Sequence, residues 1–186
     1  MGFYDKEDNI ESYSKFIPTH DGAELIRVLR AHLDKGSTVL ELGIGPGKDF
    51  ERLANHYKVT GSDNSRVFLD KYRQKNQRAE LIQLDARTLD TDKTFDCIYS
   101  NKVLIHLTRA ELSRSLQRQK SILNPNGLIL HSFWYGDKED VYDDLRITFY
   151  TEQRLRDLMD DSFEILDIGK HAKMTEGDSI YVLARA

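Results

Sequence analysis

Apolar residues along the chain fall into two alternating rhythms, and the alternation predicts an architecture. Leu25, Val28, Leu29, His32 and Leu33 lie on one stripe of a helix over residues 21–34, which Gly36 closes as a C-cap. Residues 38–42 form a continuous apolar run, as in a strand covered on both faces, and Phe50, Leu53, Ala54 and Tyr57 return to helical spacing. The pattern repeats with a strand over 59–62, a helix over 65–76 burying Val67, Phe68 and Tyr72, and strands over 80–84 and 95–99. A helix over 108–123 follows, with Leu112, Leu116 and Leu123 inward, and Asn124-Pro125-Asn126-Gly127 predicts a turn before a strand over 128–133. Beyond a polar, acidic insertion over 135–144 come a helix over 151–160 and strands over 163–168 and 180–184. The loop joining these last two strands, which contains Gly177, is too short for a crossover helix, so they are expected to pair antiparallel.

Helices and strands that alternate almost without interruption imply a doubly wound, Rossmann-like α/β fold: a seven-stranded sheet, mostly parallel, with an antiparallel C-terminal strand and helices on both faces. No Pro/Ser-rich or charge-block linker divides the 186 residues, so one domain over 1–186 is expected, with an N-terminal arm over 1–18 and an insertion over 134–150. Hydrophobic residues make up 39% of the chain, enough to bury a sizeable core.

The net charge of −4 argues against a partner held by phosphate neutralisation, so no nucleic acid is expected. The one basic cluster, Arg109, Arg114, Arg118 and Lys120, lies on a helix and reads as a solvated face. The single cysteine, Cys97, sits in an apolar run, which excludes a disulfide framework and fits a reducing compartment. Residues 1–10 are charged, without an apolar targeting core, and no run approaches membrane-spanning length. The expectation is therefore a cytoplasmic protein, with no membrane association, acting as a monomer or weak homodimer.

The chemistry concentrates where strands end. In an open α/β sheet, ligands bind beyond the carboxyl ends of the strands near the point where strand order reverses. Glu41-Leu42-Gly43-Ile44-Gly45-Pro46-Gly47 closes the first strand, and its glycines permit a close backbone approach to a ligand. A phosphate-cradling P-loop is not spelled here: Leu42 stands where its first glycine belongs, and Asp49 where its hydroxyl belongs. The dinucleotide fingerprint would need glycine at Lys48, and Pro46 lacks an amide that a pyrophosphate would use. Asp63 follows Gly43 by twenty positions, the spacing of a carboxylate that accepts from ribose hydroxyls, although it also suits a helix start. Asp85 ends the third strand and could take the exocyclic amine of adenine, with Ala86 leaving room beside the ring; a turn-forming aspartate is the alternative.

With these residues in order, Val39-Leu40-Glu41-Leu42-Gly43-Ile44-Gly45-Pro46-Gly47 resembles motif I of the class I S-adenosylmethionine-dependent methyltransferases that act on small molecules. Gly61-Ser62-Asp63-Asn64-Ser65, Gln83-Leu84-Asp85-Ala86, Phe95-Asp96-Cys97-Ile98-Tyr99-Ser100-Asn101 and Leu123-Asn124-Pro125-Asn126-Gly127-Leu128 resemble the family's later motifs. The similarity runs from about residue 19 to the C-terminus. It implies S-adenosyl-L-methionine as cofactor, with the Gly43, Gly45 and Gly47 loop against its methionine moiety, Asp63 on ribose, Asn64 bordering adenine, and Asp85 with Ala86 holding the base. Ser100 would line the methyl site through its backbone, and Glu41 would order the loop and the ligand's ammonium indirectly. Lys48 and Asp49 depart from the small or apolar residues common there.

The resemblance makes methyl transfer to a small-molecule acceptor the expected activity, by in-line displacement governed by positioning. His106, after the fourth strand, is the candidate general base, against a packed structural histidine. Tyr13, with Tyr4, resembles an aromatic arm folded over the cofactor, where a ring can attract a sulfonium. The insertion lies where relatives build the acceptor pocket; Asp137, Glu139, Asp140, Asp143 and Asp144 would suit an amine, or form a solvated acidic loop. The alternatives are a non-catalytic cofactor-binding or partner-binding module on the same fold and an NAD-dependent oxidoreductase. Against the latter, no tyrosine has lysine four residues on. No G-x-S-x-G elbow occurs, and the six histidines and lone cysteine form no zinc spacing, so no metal is expected.

Overall fold

The computed structural model describes residues 22–142, 145–159, 162–172 and 175–186. Helix α1 (Ala23–Arg30) leads into strand β1 (Thr38–Leu42), followed by α2 (Lys48–Ala54), β2 (Lys58–Asp63), α3 (Arg66–Lys75) and β3 (Glu80–Gln83). The chain then crosses to β4 (Phe95–Asn101), a 3₁₀ turn (Leu104–His106), α4 (Arg109–Ser121) and β5 (Leu123–Tyr135). Strands β6 (Glu139–Tyr142) and β7 (Leu145–Tyr150), helix α5 (Glu152–Met159) and strands β8 (Glu164–His171) and β9 (Ser179–Arg185) complete it.

β3, β2, β1, β4 and β5 lie side by side and parallel, and β9 joins β5 antiparallel with β8 antiparallel outside it. These seven strands are those expected from the sequence, but β7, parallel to β5, and β6 beside it extend the sheet to nine strands among the described residues. Strand order reverses between β1 and β4, which opens a crevice at their carboxyl ends. Both faces of the sheet are buried, so each strand sends alternate residues into two cores. Val39, Cys97, Tyr99, Leu130 and Leu183 pack with α1, α2 and α3, while Leu40, Leu42, Ile98, Ile129 and Val182 pack with α4 and α5. Burial drives the Cys97 thiol pKa upward, as befits an inert core residue.

Three expectations need correction. The first helix stops at Arg30, so His32 is exposed and Ile26 completes the buried stripe with Leu25 and Leu29. Asn124 to Gly127 do not end one element before the next; they loop out within β5, which pairs through Leu123 before the loop and from Leu128 after it. Asn126 takes the left-handed conformation that this bulge requires. The insertion is a hairpin, β6 against β7, with β7 docked on β5 through Trp134 opposite Phe149 and Tyr135 opposite Tyr150. Its alternation is hidden in the sequence because one face of β7 carries Arg146 together with Thr148 and Tyr150, while Leu145, Ile147 and Phe149 on the other face are only half-buried. Thr148 and Tyr150 are fully buried, whereas Glu139 and Arg146 pair across the strands at 2.6 Å.

Candidate functional site

The glycine loop leaves β1 at the crevice. Gly43, Gly45 and Gly47 all have left-handed φ, at +69°, +48° and +87°. Gly47 is demanded twice, because a Cβ there would also lie 2.0 Å from the Tyr72 ring. At Gly45 a Cβ would meet nothing within 4 Å among the described residues, so this turn presents bare backbone to them. The loop is pinned by Ile44 N–H donating to Ser62 O at 2.8 Å and Gly47 N–H to Ile44 O at 2.9 Å.

Three carboxylates gather beneath it. Asp63, at the end of β2, accepts from Gly45 N–H at 3.1 Å through one oxygen and from Ser65 N–H at 2.9 Å through the other. It therefore ties the glycine loop to the start of α3, and a carboxylate's further lone pairs leave capacity for ligand hydroxyls. Burial raises its pKa, against the lowering effect of these backbone donors. Asp49, on the first turn of α2, accepts from Gly22 N–H at 2.6 Å, Tyr99 Oη–H at 2.7 Å and Asn101 Nδ2–H at 3.0 Å. The departure from family pattern noted at Asp49 is thus a buried hub joining the chain before α1, the loop helix and β4.

Glu41 is buried, and its Oε2 has no hydrogen-bond partner among the described residues. Burial, then the nearby Asp49 and Asp63 charges, holds its carboxyl well above the ordinary range. A buried carboxyl oxygen with no donor is costly, and a cationic group brought to this point would relieve it.

At the end of β3 the geometry is less open than the sequence implied. The Asp85 carboxylate is gripped by Arg87, whose Nη2 lies 2.6 Å and whose Nε lies 3.0 Å from its oxygens, and it also accepts from Arg87 N–H. Arg87, acting first through this hydrogen bonding, lowers the Asp85 pKa. Asp85 is thus a turn former in this arrangement, and an adenine amine would have to displace Arg87. Neighbouring Asn64 is exposed, and its carbonyl accepts from Gln83 Nε2 at 3.0 Å. Ala86 offers its carbonyl to Ser115 Oγ–H at 2.6 Å.

Ser100, fully buried at the carboxyl end of β4, meets His131 Nδ1 at 2.8 Å, and His131 Nε2 meets Gln119 Oε1 at 2.7 Å. Sequence reasoning missed His131 and Gln119, although a histidine inside Leu128-Ile129-Leu130-His131 is a visible interruption of an apolar strand. It also missed Lys102, which follows β4 with φ of +63°, is buried, donates through Nζ to Phe133 O and lies 4.4 Å from the centre of the Trp134 ring. His106 lies in the 3₁₀ turn with Nδ1 2.8 Å from Arg146 O on β7. Only a protonated Nδ1 can bond a carbonyl, so the neutral ring carries its basic lone pair on Nε2. Burial lowers its pKa, which keeps the ring neutral at physiological pH.

Tyr13 and Tyr4 lie outside the described residues, as do Asp143 and Asp144. The remaining insertion acids are paired: Asp137 with Arg109 and Arg154, Glu139 with Arg109 and Arg146, and Asp140 with Lys138. They form a self-neutralised surface network rather than an array for an amine. Arg118 donates to the Leu89 and Thr91 carbonyls and Lys120 to Ser162 O, so the basic cluster on α4 is used structurally. A separate cleft of about 420 Å³, lined by His32, Asp34, Ser37, Asp96, Asn126 and Arg185 among others, lies at the amino ends of β1 and β4, away from all these residues. No helix among the described residues is long and apolar enough to cross a membrane.

Residues 39–127 match the family described as a methyltransferase domain. Trans-aconitate 2-methyltransferase from Azoarcus sp. (strain BH72) is 31% identical over 123 residues, 64% of this chain and 47% of its own length. (S)-tetrahydroprotoberberine N-methyltransferase from Eschscholzia californica is 30% identical over 59% of this chain and 32% of its own length. The chain thus spans less than half the length of these curated relatives. Among solved structures, 1,6-didemethyltoxoflavin-N1-methyltransferase from Burkholderia thailandensis, with bound 1,6-didemethyltoxoflavin and S-adenosylhomocysteine, superposes with a TM-score of 0.80 at 21% identity, covering 96% of this chain and 85% of that one.

Proposed function

We propose that the chain, whose residues 39–127 match a methyltransferase domain, is a class I methyltransferase that binds S-adenosyl-L-methionine and delivers its methyl group to a small-molecule acceptor. The observation that carries the cofactor is the unpartnered, buried Glu41 oxygen beneath a loop of left-handed glycines. Such a pocket suits a ligand that brings a cation close to bare backbone. The Gly43, Gly45 and Gly47 loop would receive the methionine moiety, Glu41 its ammonium, Asp63 the ribose hydroxyls, and Asn64, Asp85 and Ala86 the adenine; Tyr13 belongs to an arm expected to cover it.

When bound, the sulfonium supplies a methyl group already activated for displacement, so the chain's own work is alignment. Holding two reactants as a near-attack pair contributes on the order of 7–11 kcal/mol. Ser100 and Asn101 end β4 at the crevice, and their side chains are fixed by His131 and by Asp49 with Ser132. For an acceptor that arrives protonated, His106 Nε2 is the proton-accepting atom, oriented by the Arg146 carbonyl behind it. The self-paired insertion removes support for an amine-selective pocket. We further read the protein as cytoplasmic, a monomer or weak homodimer, independent of nucleic acid.

Calorimetry with S-adenosylmethionine, S-adenosylhomocysteine and NAD tests the reading. The adenosyl sulfur compounds should bind and NAD should not; NAD binding alone would overturn it. An acceptor screen for S-adenosylhomocysteine release then separates an enzyme from a binding module.

A further inference from the structure

A file of buried polar groups crosses the face of the sheet covered by α4. From the β4 end it runs Ser100 Oγ to His131 Nδ1 at 2.8 Å, His131 Nε2 to Gln119 Oε1 at 2.7 Å, Gln119 Nε2 to Ser115 Oγ at 3.2 Å and Ser115 Oγ to Ala86 O at 2.6 Å. Ser100, Ser115, Gln119 and His131 are all wholly buried. The Ala86 carbonyl can only accept, and that fixes the direction of every link. Ser115 must give its proton to Ala86, so its oxygen accepts from the Gln119 amide. Gln119 then turns its carbonyl to His131, which must donate from Nε2, and a neutral His131 accepts at Nδ1 from Ser100. Burial holds the His131 pKa down to about 3, consistent with that single neutral tautomer.

The file joins two places that sheet order keeps apart. Ala86 follows β3 at the edge of the parallel array, while Ser100 ends β4, and β2 and β1 lie between them. Resting on the cofactor reading above, these are the adenine end and the methyl end of one cleft. We propose that this one-directional file, centred on the positioning residue His131, sets the spacing between the two ends of the cofactor cleft. A cut at either end frees the Ala86 turn from the β4 terminus, so both cuts should have the same consequence and should not add.

Replacing His131 removes two links at once inside the core and endangers folding, so the serines carry the test. Ser100→Ala, Ser115→Ala and the double variant are compared with wild type for S-adenosylhomocysteine affinity by calorimetry, alongside thermal unfolding. Each single change should weaken binding about tenfold, the scale of one lost hydrogen bond in a buried network, and the double variant should weaken it no further. Unchanged affinity with only a lowered Tm would make the file a purely structural core element, and additive losses would make the two ends independent; either result overturns the proposal. A wild-type protein that fails to bind S-adenosylhomocysteine would instead sink the cofactor reading beneath it.

Discussion

On the face of the sheet covered by α1, α2 and α3, the polar groups at the crevice include three carboxylic acids: Glu41 and Asp49, both buried, and the half-buried Asp63. On the face covered by α4 and α5 they are neutral: Ser100, His131, Gln119 and Ser115. The neutral set is closed, each donor matched to an acceptor, whereas the acidic set leaves Glu41 Oε2 unmatched among the described residues. A closed network rigidifies its surroundings, and an open one stores a cost that a ligand can relieve. A closed network suits scaffolding, and an open one suits the cation recognition proposed for Glu41.

The largest expected effect tests what the neutral side contributes to chemistry. On an acceptor protonated at neutral pH, His106→Asn should lower turnover by about 10²- to 10⁴-fold, and wild-type activity should fall only as pH drops below the ordinary histidine range, because burial lowers the His106 pKa. Unchanged turnover would remove the base. Next, Asp49→Ala orphans the Tyr99 hydroxyl, the Asn101 amide and the Gly22 N–H together, and should destabilise the fold by about 3 kcal/mol in urea denaturation, since each buried orphan costs roughly 1–3 kcal/mol. A loss below about 1 kcal/mol would mean that water replaces the hub.

Asp63→Ala releases the Gly45 amide and removes the proposed ribose acceptor, so S-adenosylhomocysteine affinity should fall roughly 10- to 100-fold by calorimetry. Glu41 gives a pH signature. Its folded pKa is raised above 4.5, so the protonated folded state is favoured, and its contribution to stability is full below that pH and is lost as pH climbs towards the raised value. A bound ammonium would pull the pKa back down, so cofactor binding should release a proton and tighten with pH; calorimetry in two buffers of different ionisation enthalpy measures it. Glu41→Gln should abolish that release, and a release that persists would shift the coupling to Asp63. The smallest effect belongs to Arg87→Ala, which frees Asp85 from a half-exposed pair worth about 0–1 kcal/mol and should tighten cofactor binding by no more than about fivefold.

Much of the fold is legible in the sequence. The continuous apolar run of β1 appears at Thr38–Leu42 as read, and the other parallel strands differ from their expected limits by one or two residues, except that β5 takes in the residues around the 124–127 bulge. The β6 and β7 hairpin was not legible, because its charged positions stabilise it through Arg146 and Glu139 across strands, a pairing that linear periodicity cannot reveal. The glycine loop and the acids at the strand ends were readable because backbone conformation and strand termination are local properties. That Asp63 ties the loop, that Asp85 is held by Arg87, and that Asp49 is a hub are facts about partners 2 to 52 residues away.

The amino-acid sequence by itself determined the order of elements, the two-sided burial of the sheet and the glycine loop that closes β1 at the crevice, since each follows from local periodicity and from glycine's freedom in φ. Tertiary structure alone decided which polar groups are satisfied. Hydrogen bonds between distant segments exist only after strands and helices have packed, and from that packing come the open valence of Glu41 and the closed file through His131.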